Sequence, residues 1–131
     1  MSNAALMYLA YTVLVTALMW LPYILNAIMV RGLVDTVGYP ANPKPLAPWA
    51  ERAKKAHYNA AENLVIFAPA VILAQMAGVA DGTTATAALV YLLARIVHYI
   101  VYTFGIPWLR TLSFTVGWVC VLVIICQVVN T

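Results

Sequence analysis

The stretch Ala50-Glu51-Arg52-Ala53-Lys54-Lys55-Ala56-His57-Tyr58-Asn59-Ala60-Ala61-Glu62-Asn63-Leu64-Val65-Ile66-Phe67 decides the fold. It opens charged and passes into apolar sequence with no Gly or Pro to stop a helix. Arg52, Lys55, Asn59 and Glu62 recur at intervals of three, four and three. On an α-helix that spacing places all four on one face. The helix is therefore expected to begin in water and enter a membrane, carrying a polar stripe with it.

Composition agrees with that reading. The chain has 131 residues, of which 65% are hydrophobic and 8% charged, and its mean hydropathy is +0.91. Soluble domains carry about 25% charged residues, and a short chain cannot bury this much apolar surface by itself. An all-α integral membrane protein is expected. A spanning helix needs about 20 mostly apolar residues. Four spans fit, at roughly 4–30, 49–77, 84–104 and 108–129, forming one four-helix bundle over residues 1–131 with no separate soluble domain. Pro22 predicts a kink in the first span and Pro69 a bend in the second. Pro40, Pro43, Pro45 and Pro48 predict an extended loop between them. Thr83 or Thr84 is suited to cap the third helix, and Gly105-Ile106-Pro107 to end it. The first apolar run has no basic flank and is too long for a signal peptide.

The net charge of +3 gives no reason to expect a nucleic-acid partner. Cys120 and Cys126 read as small apolar packing residues. No Cys/His cluster has metal-ligand spacing, so no metal is expected. The placement of charge says more than its total. Arg31, Lys44, Arg52, Lys54, Lys55 and Arg110 gather at the two connections on one side of a four-span bundle, and the other side has no Lys or Arg. The positive-inside rule puts the basic loops in the cytoplasm and both termini outside. In a bacterium that membrane is the inner one; an endoplasmic reticulum membrane is the eukaryotic alternative.

Two ionisable groups lie inside apolar runs, Glu62 and Arg95. A charge at the bilayer centre costs about 2.5 to 3.5 kcal/mol on insertion scales, so the two are expected to pair. Arg95, His98 and Tyr102 are three and four apart, again one helix face. The two polar faces reach matching depths and are expected to line a cleft open to the cytoplasm, with Arg110 at its mouth. A buried ion pair that only fixes helix register needs one such pair rather than two stripes. An anion carrying one amine suits the cleft, with its carboxylates on Arg and Lys and its ammonium on Glu62. Glutathione answers that description, and these residues do not select it over other anionic peptides or phosphates. A non-catalytic protein binding an anionic ligand or lipid headgroup is a second reading. A small transporter is a third, and it would carry polar residues through the full membrane depth, whereas polarity here stops near Arg95.

The run Glu51-Arg52, His57, Asn59 and Glu62 resembles the signature of the MAPEG family, the membrane-associated proteins of eicosanoid and glutathione metabolism. Arg95, His98 and Tyr102, followed by a proline and Arg110, are similar to that family's later motif. The resemblance implies a homotrimer of four-helix protomers with glutathione as co-substrate, bound between subunits near the cytoplasmic face. It assigns glutathione binding to Arg31, Arg52, Lys55, Asn59, Glu62, Arg95, His98 and Tyr102, and thiol activation to Arg110. The implied activity is glutathione transfer or peroxide reduction on apolar electrophiles arriving from membrane lipid. Tyr58 stands where some members carry a basic residue, and Phe114 where some carry a tyrosine.

Overall fold

The computed structural model describes residues 3–131, which hold six α-helices and no strand. Helices α1 (Ala4–Leu18) and α2 (Trp20–Arg31) together make the first span, α4 (Pro48–Met76) the second, α5 (Gly82–Thr103) the third and α6 (Pro107–Val129) the fourth. All four are long and apolar enough to cross a bilayer. The protein is an integral membrane protein.

The break in the first span lies at Met19, one turn before Pro22. Pro22 has no N–H to give to the Leu18 carbonyl four residues back, so the regular ladder fails there. Met19 N–H bonds instead to the Thr16 carbonyl at 3.3 Å. The Tyr99 hydroxyl, from α5, donates to the Met19 carbonyl at 2.9 Å. Pro69, by contrast, lies within one continuous 29-residue helix.

The first connection is not wholly extended. After Gly32, at φ +82°, five residues form α3 (Leu33–Val37) before the proline-rich segment begins. That segment is tied down at two points. Arg31 Nε donates to the Lys44 carbonyl at 2.6 Å, and Ala47 N–H donates to Asn26 Oδ1 at 3.0 Å. Asn26 is thus a loop anchor more than a helix–helix contact. Pro48 opens α4 as its first residue, where a missing N–H is harmless.

The cap of α5 is Asp81, not either threonine. Its carboxylate accepts the N–H groups of Thr83 and Thr84, and the Thr84 hydroxyl closes the reciprocal half of a capping box. The same Asp81 oxygen takes a bond from Gln127 Nε2 at 3.0 Å, and Thr84 Oγ1 lies 2.6 Å from Gln127 Oε1, which ties the end of α6 to the start of α5.

Helix α5 is the element the others surround, in contact with α1, α4 and α6. The Phe67 and Tyr91 rings stack at 3.7 Å across α4 and α5. Around them the buried residues are mostly small: Ala5, Ala70, Ala74 and Ala88. Small residues let membrane helices approach closely, which is how packing is gained where lipid is as apolar as the side chains. Gly117 of α6 lies against Tyr91 and the Arg95 stem for the same reason.

Candidate functional site

The site is built at the end of the bundle where α4 begins and α5 ends. Arg95 is its deepest member, only 3% exposed. One guanidinium N–H donates to Asn59 Oδ1 at 2.6 Å, and the same Nη2 lies 3.4 Å from His98 Nδ1. Arginine can only donate, so that second contact places the acceptor lone pair on Nδ1. Asn59 is itself oriented by Asn63, whose amide donates to the Asn59 carbonyl at 2.8 Å and lies 3.3 Å from Asn59 Oδ1. Asn63 was not foreseen as part of the site. Its signal was present as the one-turn spacing from Asn59.

One turn along α5, the edge of Tyr102 meets the His98 ring at 5.5 Å. Arg110, in the first turn of α6, holds its guanidinium 4.9 Å above the Tyr102 ring, a cation–π contact. Phe114 comes to 6.3 Å from His98. These side chains line an open cleft of about 310 Å³ formed by Asn59, His98, Tyr102, Arg110, Thr111 and Phe114. A smaller hollow of about 180 Å³ shares Tyr102 and Arg110 and adds Arg52, Gly105 and Pro107. The Arg52 Nε–H donates to the Thr103 carbonyl at 2.9 Å. That bond satisfies one of the last carbonyls of α5 with a cation, where the helix dipole favours it. Gly105 holds φ +76°, and a Cβ there would meet Arg52 Nε at 3.3 Å.

Five of the sequence-predicted residues therefore come together around this end: Asn59, Arg95, His98, Tyr102 and Arg110, with Arg52 beside them. Three do not. Arg31 is held by the first loop and lies outside the cleft lining. Lys55 is exposed on the outer side of α4.

Glu62 is the clear correction. It does not pair with Arg95; it is exposed and makes no ion pair among the described residues. The reason is helical phase. At 3.6 residues per turn, a three-residue step leaves Glu62 about 60° off the direction of Asn59. Asn59 points at α5 and takes the guanidinium, while Glu62 is exposed on the outside of the bundle. Among the described residues the buried cation is thus met by neutral acceptors.

Residues 7–130 match the model of the MAPEG family, nearly the whole chain. The protein belongs to the MAPEG family. No curated protein matches the chain. In this MAPEG member the polar stripe of α4 and that of α5 meet through the Asn59–Arg95 bond. Glutathione transferases are among the family's proteins.

Proposed function

We propose that the protein binds glutathione in the cleft of Asn59, His98, Tyr102 and Arg110 and uses its thiolate against apolar electrophiles or peroxides that arrive from the bilayer. The observation that carries this reading is Arg95. It is a buried cation with no carboxylate partner among the described residues, and its Nε has no hydrogen-bond partner there. A buried charge of this kind calls for an anion nearby. Arg110 adds a second cation, one that lines the cleft itself, whereas Arg95 lies behind Asn59 and His98. The residues present suit glutathione, whose carboxylates would answer these cations.

Arg110 is placed to favour the thiolate. A free thiol of this type has a pKa near 8.5, and a neighbouring guanidinium favours its charged form. Arginine does not act as a base at neutral pH, so the proton passes to water. In transfer, the sulfur lone pair forms the new carbon–sulfur bond and the leaving group departs with its electron pair. With a peroxide, the thiolate attacks oxygen, the O–O bond breaks and an alcohol forms. A second glutathione then closes the disulfide, with water as the other product.

The assembly we propose is a homotrimer with the cleft between copies. Glu62 supports it. A carboxylate facing outward beside Val65 (73% exposed) and Ile66 (60% exposed) suits a covered position better than a lipid-facing one. Lys55, Glu62 and the Arg31 region of one copy would then serve the neighbour's cleft. The side we assign to the cleft is the cytoplasmic one, from the basic residues around it.

Phe114 favours a second reading, in which the cleft binds an anionic ligand or lipid headgroup without catalysis. It lines the cleft and offers no hydroxyl. Calorimetric titration with glutathione and turnover with an aryl halide, on wild type and Phe114→Tyr, separate the two. Binding with turnover, raised in the variant, supports the transferase. Binding without turnover in either protein supports the second reading. Absence of glutathione binding overturns the transferase reading and leaves the cleft to another anion.

A further inference from the structure

A second cavity is larger than the cleft: an open groove of about 680 Å³ between the start of α5 and the second half of α6. Thr83 and His98 are fifteen residues apart on α5, so the groove opens roughly 22 Å from the cleft. Its walls are Ala87, Val90, Val119 and Val123, and Asp81, Thr83 and Thr86 form its lip. From Thr83 to Val90 the groove follows α5 for about 10 Å into the apolar layer.

The lip has two unusual features. Most hydroxyls on these helices are spent on the carbonyl one turn back, as in Thr12, Thr16, Thr103, Ser113 and Thr115. Those of Thr83 and Thr86 make no hydrogen bond among the described residues. Asp81, moreover, is a carboxylate with no ion-pair partner among the described residues. Every Lys and Arg lies in 31–55 or 95–110, and no other acidic residue lies after Glu62. One Asp81 oxygen accepts from the helix cap and Gln127; the other has no protein partner among the described residues. The cap bonds, Gln127 foremost, hold the Asp81 pKa below its ordinary value, so it is charged at neutral pH.

We propose that this groove holds the acyl chain of a phospholipid with a primary ammonium headgroup, whose amine pairs with Asp81 and whose ester carbonyls accept from Thr83 and Thr86. Charge complementarity selects the headgroup. Among the described residues the groove supplies one carboxylate and no cation to compete for it, and its apolar walls continue onto exposed Leu93 and Val97 of α5 and Val116 of α6.

Native mass spectrometry of the full protein tests it, after release from vesicles of equal phosphatidylethanolamine and phosphatidylcholine. Wild type is expected to retain the ethanolamine lipid several-fold over the choline lipid. Asp81→Asn keeps a good helix cap and should abolish that preference while leaving the protein folded. Val90→Trp fills the groove and should reduce retention of both lipids. Equal retention of the two lipids by wild type overturns the proposal. So does an unchanged preference in Asp81→Asn, or unchanged retention in Val90→Trp. A Thr86→Cys variant, made with Cys126→Ser, that forms disulfide-linked pairs of copies overturns it too, because the groove is then a protein interface.

Discussion

The Asn59–Arg95 bond is the contact on which the site's geometry rests, and Asn59→Leu removes it. Arg95 is 3% exposed, and Asn59 Oδ1 at 2.6 Å is its shortest hydrogen bond. A hydrogen bond to a charged group contributes about 1.5 to 3 kcal/mol in proteins. Inside membranes the measured range is lower, averaging about 0.6 and reaching about 1.7 kcal/mol, because the reference state also finds partners. Arg95 is buried in protein and, among the described residues, has only His98, at 3.4 Å, as an alternative acceptor. The loss should therefore fall near the top of the membrane range, at about 1.5 kcal/mol, or roughly tenfold in the folding equilibrium. Reversible unfolding in mixed micelles, followed by circular dichroism, measures it. Asn59→Asp is the informative companion. It restores an acceptor and adds the missing counter-charge, so stability should recover. It also neutralises the field of Arg95, so glutathione affinity should fall. A change below about 0.5 kcal/mol in Asn59→Leu, the scale of an ordinary surface substitution, would refute the assignment of Asn59 as the anchor of Arg95.

Glu62→Gln should leave the stability of the four-helix bundle unchanged, since Glu62 makes no ion pair among the described residues, yet weaken glutathione several-fold through loss of the ammonium contact we propose for it; calorimetry against the N-acetylated peptide reads the difference. Gly105→Ala should destabilise by about 1 to 2 kcal/mol, the penalty of a side chain in left-handed backbone, with added pressure from Arg52 at 3.3 Å; thermal unfolding checks it. Asp81 has a pKa held below 3.8 by its bonds to Gln127 and the α5 cap. Its folded value is the lower one, so its contribution is present above 3.8 and is lost as pH falls through that lower value. Asp81→Asn should flatten the acid limb of the melting temperature, measured across an acid titration.

Much of this architecture was legible in the chain. Four apolar runs separated by Gly and Pro gave the spans, because length and hydropathy act through simple transfer energetics. The membership of Asn59, Arg95, His98 and Tyr102 in two polar stripes followed from helical periodicity alone. The partner of Arg95 did not. Opposite charge suggested Glu62, but pairing depends on a phase difference of about 60° and on how α4 is rotated against α5. Spacing along one helix does not report that rotation. The break at Met19 was displaced from Pro22 because proline deprives a carbonyl four residues earlier. Helix α3 escaped notice because five residues carry too little periodicity to register. The cap of α5 fell to Asp81 rather than to Thr83 or Thr84 because an acidic residue three before Thr84 can close a capping box with its hydroxyl.

The most direct test of the central claim is ultraviolet difference absorbance of the thiolate during glutathione titration at neutral pH, on wild type and Arg110→Ala. Arg110 stands at the mouth of the cleft over Tyr102. Wild type should give a saturable thiolate band that is lost in Arg110→Ala while the protein stays folded. A band of equal size in the variant would remove Arg110 from thiol activation, and no band and no binding in wild type would contradict the glutathione reading itself.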